Sequence, residues 1–235
     1  MNIKRHVPNL ITLLNLFSGC IALIFATKLN FEMAFWFVSM GIFLDFFDGF
    51  FARLFKVASP LGLQLDSLAD MVTSGLVPGY VMFQLLSANT AYTDTFIPYL
   101  GFIITLGSCY RLANFNIDTR QTDSFIGLPT PANALFILSL PLVLKYSDSI
   151  FILELLTNTW VLLTITVFSA FILNAEIPLF SLKIKDFSLA KNKLTFGFLS
   201  LSVVLLLFLK YAGVPLVILV YILLSVINNK LSRRL

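Results

Sequence analysis

The sequence predicts an all-α fold: a polytopic membrane helix bundle of about eight transmembrane helices, with both termini cytoplasmic. Three observations carry this. Apolar residues make up 58% of the 235-residue chain and charged residues 12%, against about 25% charged in an ordinary soluble domain. Apolar runs long enough to span a bilayer recur from one end to the other. Lysine and arginine fall almost entirely at one set of the breaks between these runs.

The elements follow in order. Lys4, Arg5 and His6 precede the first apolar run, 8–27, and its small residues Ser18-Gly19-Cys20 give it a signal-peptide look. The run continues to about Ala26, however, and further spans follow at once, so a retained first helix is expected. Helices are expected at 32–55 after Lys28–Asn30, at 66–87 after Ser59-Pro60, and at 95–115 after Ser87–Asp94. Three more breaks, Asp118–Ser124, Ser147–Ser149 and Lys183–Lys193, set off 129–145, 151–174 and 194–211. The last segment, 213–229, is short and is expected to pair with 194–211 as a tight helical hairpin. Cys20 and Cys109 lie in apolar runs without metal or redox spacing and read as small buried hydrophobes.

Charge tests the count. With the N-terminus inside, Lys4, Arg5, Arg53, Lys56, Arg111, Arg120, Lys183, Lys185, Lys191, Lys193, Lys230, Arg233 and Arg234 are cytoplasmic. Only Lys28, Lys145 and Lys210 fall outside. Thirteen against three obeys the positive-inside rule. An odd number of helices would scramble that partition.

Against this background Asp45, Asp48, Asp66 and Asp70 stand out: 26 positions hold four of the chain's 12 acidic residues. An aspartate at mid-bilayer depth costs about 2.5–3.5 kcal/mol, so four need compensation by metal ions, a wet cavity, or both. The i, i+3 and i, i+4 spacings put each pair on one helix face. Ser59-Pro60 and Gly62 let the chain reverse, so two helix ends can present all four carboxylates to one cavity on the cytoplasmic side. Oxygen-only ligands suit Mg²⁺ or Mn²⁺, which commonly share their coordination with substrate phosphates. Gly49 and Ala52 leave room beside the first pair, and Gly62 permits close backbone approach. Arg53 can hydrogen-bond a phosphate through its planar fork. Together these residues describe a diphosphate site.

The spacing Asp-x2-Asp-Gly-x2-Ala-Arg-x8-Gly-x3-Asp-x3-Asp is matched at Asp45, Asp48, Gly49, Ala52, Arg53, Gly62, Asp66 and Asp70. In this it resembles the CDP-alcohol phosphotransferase family, which transfers a phosphoryl group from a CDP-activated substrate to an alcohol and releases CMP. The resemblance implies that Asp45, Asp48 and Asp66 bind two divalent cations. It implies that Asp70 completes the metal site and is the candidate general base.

Other segments resemble the serine-using members, the CDP-diacylglycerol–serine O-phosphatidyltransferases. The first is Val7-Pro8-Asn9 through Gly19, where Asn9, Thr12 and Asn15 form a polar stripe, with Asn9 and Thr12 placed at the nucleotide. The second is Arg111-Leu-Ala-Asn114-Phe-Asn116 leading into Phe125-Ile-Gly127-Leu-Pro129-Thr-Pro131-Ala. By this likeness residues 111–132 select the substrate. Arg111, Arg120, Gly127, Pro129 and, in a third stretch after helix 6, Lys183 are candidates for contacts to serine or lipid phosphate. Thr73-Ser74-Gly75 and Asn114 depart from the usual pattern without touching the eight motif positions. The likeness implies one membrane domain over 1–235, with motif helices 32–87 and less diagnostic helices 194–229. It further implies CDP-diacylglycerol and L-serine as substrates, a homodimer, no nucleic-acid partner, and a prokaryotic cytoplasmic (inner) membrane. Relatives using glycerol 3-phosphate or inositol phosphate are the nearest alternative. A secondary transporter with intramembrane aspartates is more distant, because no inverted repeat is visible.

Overall fold

The computed structural model describes residues 6–88, 95–118, 126–180 and 192–232. Arg120 and Lys183 lie outside them. The described residues are helical apart from connections and one isolated bridge, Ile126 to Pro178.

Helices α1 (Val7–Thr27) and α2 (Phe31–Leu54) form an antiparallel hairpin. Asn30 caps α2, accepting from the Met33 amide at 3.2 Å. Ser18, Gly19, Ala22 and Ala26 of α1 are buried, as are Ala34, Val38 and Gly41 of α2. Small residues at this spacing let two backbones approach closely in a membrane.

After α2 the chain turns through Lys56, at φ 55°. The Val57 amide bonds the Ala52 carbonyl and the Lys56 amide that of Arg53, which stops the helix with a left-handed residue. Helix α3 (Pro60–Asp70) starts well before the expected residue 66. Ser59 accepts from the Gly62 amide and Pro60 occupies the first turn, a stop-and-start signal the apolar pattern hides. From Asp70 the helix widens into a π turn, Met71–Leu76, and resumes as α4 (Val77–Ser87). A 3₁₀ turn, Ile97–Phe102, leads into α5 (Ile103–Ile117).

Helix α6 (Thr130–Tyr146) is the most enclosed. It packs against α2, α4, α10 and the π turn. The expected helix 151–174 is two helices, α7 (Ile150–Thr157) and α8 (Thr159–Asn174), bent by 70°. Asn158 makes the break by accepting the Trp160 and Val161 amides as a cap. Helices α9 (Lys193–Leu209) and α10 (Gly213–Ser232) do form the expected hairpin. Phe198 and Tyr221 lie with ring centroids 5.4 Å apart, where one continuous helix would separate them by about 34 Å.

By length and hydropathy alone, three described stretches qualify as membrane spans: Val7–Thr27, Phe31–Leu54 and the 39-residue Lys193–Leu231. The bent α7/α8 pair would add a fourth. The reversal at Lys210 divides the long stretch in two. Cys20 and Cys109 are exposed on the outer surface of the bundle rather than buried as expected. In a lipid-facing surface, a small apolar side chain is as well placed outside as inside.

Candidate metal and substrate site

Asp45 and Asp48 lie near the C-terminal end of α2, and Asp66 lies in α3. Each offers a carboxylate oxygen, and the three oxygens lie within 4.8 Å of one another. Asp48 is buried and the other two are partly so. Like charges this close repel. Asp45 Oδ1 is also buried without a hydrogen-bond partner among the described residues. Three converging carboxylates with one oxygen unsatisfied are a donor set that fits a hard cation. The triad could hold a metal ion.

Helix α1 orients the acids. Thr12 donates to Asp48 Oδ2 at 2.5 Å, and Asn15 Nδ2 donates to Asp70 Oδ1 at 3.2 Å. Asn15 is itself fixed, because its Oδ1 accepts from Thr73 Oγ1 at 2.9 Å. Thr73 sits in the π turn, and the hole it fills exists because two glycines face it. A Cβ on Gly19 would come within 2.5 Å of Thr73 Oγ1, and one on Gly41 within 2.7 Å of both Asn15 Oδ1 and Thr73 Cγ2. So α1, α2 and the widened turn lock together directly behind Asp70. π turns recur at functional sites for this kind of local re-aiming.

A pocket of about 230 Å³ opens in front of the acids. Asp45, Asp66 and Asp70 line one side, and Arg111, Phe115, Pro129, Thr130 and Pro131 line others. Arg111 is buried, with its guanidinium 5.7 Å from the Phe115 ring centre. Asn116 donates to Ser67 Oγ at 2.9 Å, tying the helix of Arg111 to that of Asp66. Of the residues expected around the diphosphate, Gly49 faces open space apart from Arg53 Nη2, 3.9 Å from an added Cβ. Arg53 is exposed, and Gly62 lies 3.3 Å, measured from an added Cβ, from Asn9 Oδ1.

Gly127 and Pro129 are placed by backbone bonds. The Gly127 amide donates to the Ile177 carbonyl and that of Leu128 to Ile172. Gly127 has φ 77°, and a Cβ there would lie 2.5 Å from the Leu173 carbonyl oxygen. Only glycine meets both demands. Pro129, with φ −60°, then starts α6 at the pocket wall. Sequence reasoning singled out Asn15 within the stripe but not its bond to Asp70. It gave no role to Thr73, Ser67 or Thr130.

The sequence model describing CDP-alcohol phosphatidyltransferases matches residues 5–172. The chain belongs to this family. The matched range contains all four aspartates, Arg111 and Pro129, and leaves out α9 and α10. Among similar proteins, a CDP-diacylglycerol–serine O-phosphatidyltransferase of Helicobacter pylori strain J99 is 36% identical over 132 residues, 55% of this chain and 54% of that one. The protein of that name from Bacillus subtilis is 35% identical over 131 residues, 54% of this chain and 70% of its own. That of Saccharomyces cerevisiae is 32% identical over 152 residues, 57% and 53% respectively. The chain thus spans about half the length of the first of these relatives. The phosphatidyltransferase family assignment agrees with an acid cluster that could hold a metal ion, set among apolar helices.

Proposed function

We propose that the protein transfers the phosphatidyl group of CDP-diacylglycerol to the hydroxyl of L-serine, giving phosphatidylserine and CMP. The observation that carries this reading is the convergence of the Asp45, Asp48 and Asp66 carboxylates beside a small pocket shared by Asp70 and Arg111. The names of the relatives support serine as the acceptor.

Two Mg²⁺ or Mn²⁺ ions held by Asp45, Asp48 and Asp66, with Asp70 completing the set, would supply charge neutralisation for the diphosphate and the CMP leaving group. Asp70 accepts the proton of the serine hydroxyl, whose oxygen bonds to the phosphorus carrying diacylglycerol. The bond from that phosphorus to the bridging oxygen breaks, and CMP leaves with the electron pair. No Cys or His lies in the motif, and its serines, Ser59 and Ser67, are engaged by the Gly62 amide and by Asn116, so direct attack is the simplest route. Gly49, Ala52 and Gly62 leave space for the diphosphate, and Arg53 binds it. Asn9 borders that space from α1, while Thr12 and Asn15 fix the acids that act. Arg111, with Pro129 at the pocket wall, holds the serine carboxylate or the lipid phosphate. Arg120 and Lys183 would add positive charge toward anionic headgroups. The site faces the cytoplasm of a prokaryotic inner membrane, and the protein works as a homodimer.

The test is CMP release by the purified protein in vesicles containing CDP-diacylglycerol, with Mn²⁺ or Mg²⁺. L-Serine, glycerol 3-phosphate and inositol phosphate are offered in parallel. Serine-dependent release is expected. Release with another acceptor and not serine overturns the acceptor assignment, and none with any overturns the enzyme reading.

A further inference from the structure

Four side-chain atoms among the described residues are buried without a hydrogen-bond partner. Asp45 Oδ1 belongs to the metal site. The other three are Ser74 Oγ, Ser108 Oγ and Asn133 Nδ2, on residues with no exposed surface. They come from three different elements, the π turn, α5 and α6. Each sits about one turn from a pocket-lining residue: Ser74 four residues after Asp70, Ser108 three before Arg111, and Asn133 three after Thr130.

Chain direction puts all three on the same side of the pocket. The π turn and α6 run away from the acid end, and α5 runs toward it. The packing joins them. Ser108 Cβ lies 3.2 Å from where a Cβ on Gly75 would be, so α5 meets the π turn at Ser74-Gly75. Its neighbour Gly107 lies against Ala170 of α8, 3.0 Å from an added Cβ. Ser169, next to Ala170, donates to Asn133 Oδ1 at 2.5 Å. The orphaned groups therefore sit on three mutually packed elements, each about one turn deeper than a residue that lines the pocket.

Buried polar groups are almost always paired. Three unpaired ones, on separate helices, describe a place prepared for a polar ligand. Its chemistry is constrained. Asn133 has used its oxygen on Ser169, so only N–H donors remain, and both serine hydroxyls can donate. The three groups offer donors, and Arg111 stands one turn from Ser108. That combination suits a carboxylate.

We infer that Ser74, Ser108 and Asn133 receive the carboxylate of the acceptor, whose hydroxyl reaches back toward Asp70. This deepens, and rests on, the serine reading above. The three side chains then act as specificity residues, distinguishing a small amino acid from alcohols that lack the acid group.

The experiment measures CMP release at varied L-serine and varied CDP-diacylglycerol for the wild type, Ser74→Ala, Ser108→Ala and Asn133→Ala, with a melting curve for each. Ser108→Ala and Asn133→Ala are expected to raise the serine KM about tenfold, the scale of one hydrogen bond to a charged group. The CDP-diacylglycerol KM should stay within about twofold. Deleting a hydroxyl without a partner should leave the melting temperature of Ser74→Ala and Ser108→Ala unchanged or higher. An unchanged serine KM in all three variants overturns the subsite while leaving the serine reading intact. A parallel rise in both KM values with a lowered melting temperature makes the three side chains structural and also overturns the subsite. If the wild type releases no CMP with serine, the reading and the subsite both fail.

Discussion

At the scale of single residues, the site has two tiers. Asp45, Asp48 and Asp66 face one another, while Thr12 and Asn15 hold Asp48 and Asp70 from behind. Asp70→Asn keeps the shape and removes the carboxylate proposed as the base. Turnover should fall by at least about 100-fold, measured as CMP release, with folding intact by melting curve. Asn15→Ala and Thr12→Val leave every acid in place but loosen its aim. Groups behind metal ligands commonly contribute 10–100-fold in affinity or activity. The Mn²⁺ concentration giving half-maximal rate should accordingly rise by about that factor in both variants. The acids were legible in the sequence because helical spacing alone pairs them. The bond from Asn15 to Asp70 joins residues 55 positions apart, and no local pattern encodes it.

At the scale of elements, the π turn decides where Asp70 points, and its room comes from Gly19 and Gly41. Gly41→Ala forces a methyl into contact with Asn15 and Thr73. Overpacking of this kind costs about 1–3 kcal/mol, so a lowered melting temperature in detergent is expected, with activity lost in step. Gly49→Ala is the contrast. Its added Cβ has open space, so the melting temperature should hold, and a loss of rate would instead support the proposed diphosphate contact. The first two helices and the last hairpin were legible from apolar length and charge. The early start of α3 was not, because Ser59-Pro60 reads equally as a loop or as a cap. The 70° bend at Asn158 was hidden for another reason. Apolar sequence continues on both sides, and a single capping side chain makes the break.

At the scale of the whole molecule, the charge partition makes a spatial claim. With Cys20 and Cys109 replaced by Ala, a cysteine placed at Lys56 should react with an impermeant thiol reagent only from the cytoplasmic side. One placed at Lys28 should react only from the opposite side, and the reverse pattern would overturn the orientation. Chelation tests the assembly as a unit. EDTA should abolish CMP release, and either Mg²⁺ or Mn²⁺ should restore it, with the helical circular-dichroism signal unchanged throughout. The bundle's stability rests on apolar packing around α6 rather than on the acid cluster. The last two helices lay beyond the reach of motif reasoning, because nothing in them repeats the chemistry of the site.

The clasp between residues 126–128 and 172–178 sets a rule for altering this protein. Ile126 pairs with Pro178, Gly127 bonds Ile177, Leu128 bonds Ile172, and Asn229 of the final helix reaches the Pro178 carbonyl. A connection after a helix ordinarily tolerates added length. Here one extra residue between Asn174 and Pro178 would put Ile177 and Pro178 out of step with the Leu128–Ile172 bond and strain the placement of Pro129 at the pocket wall. A stretch that looks like spacer is in effect a ruler, and it ties the position of the terminal hairpin to the pocket beside the acids.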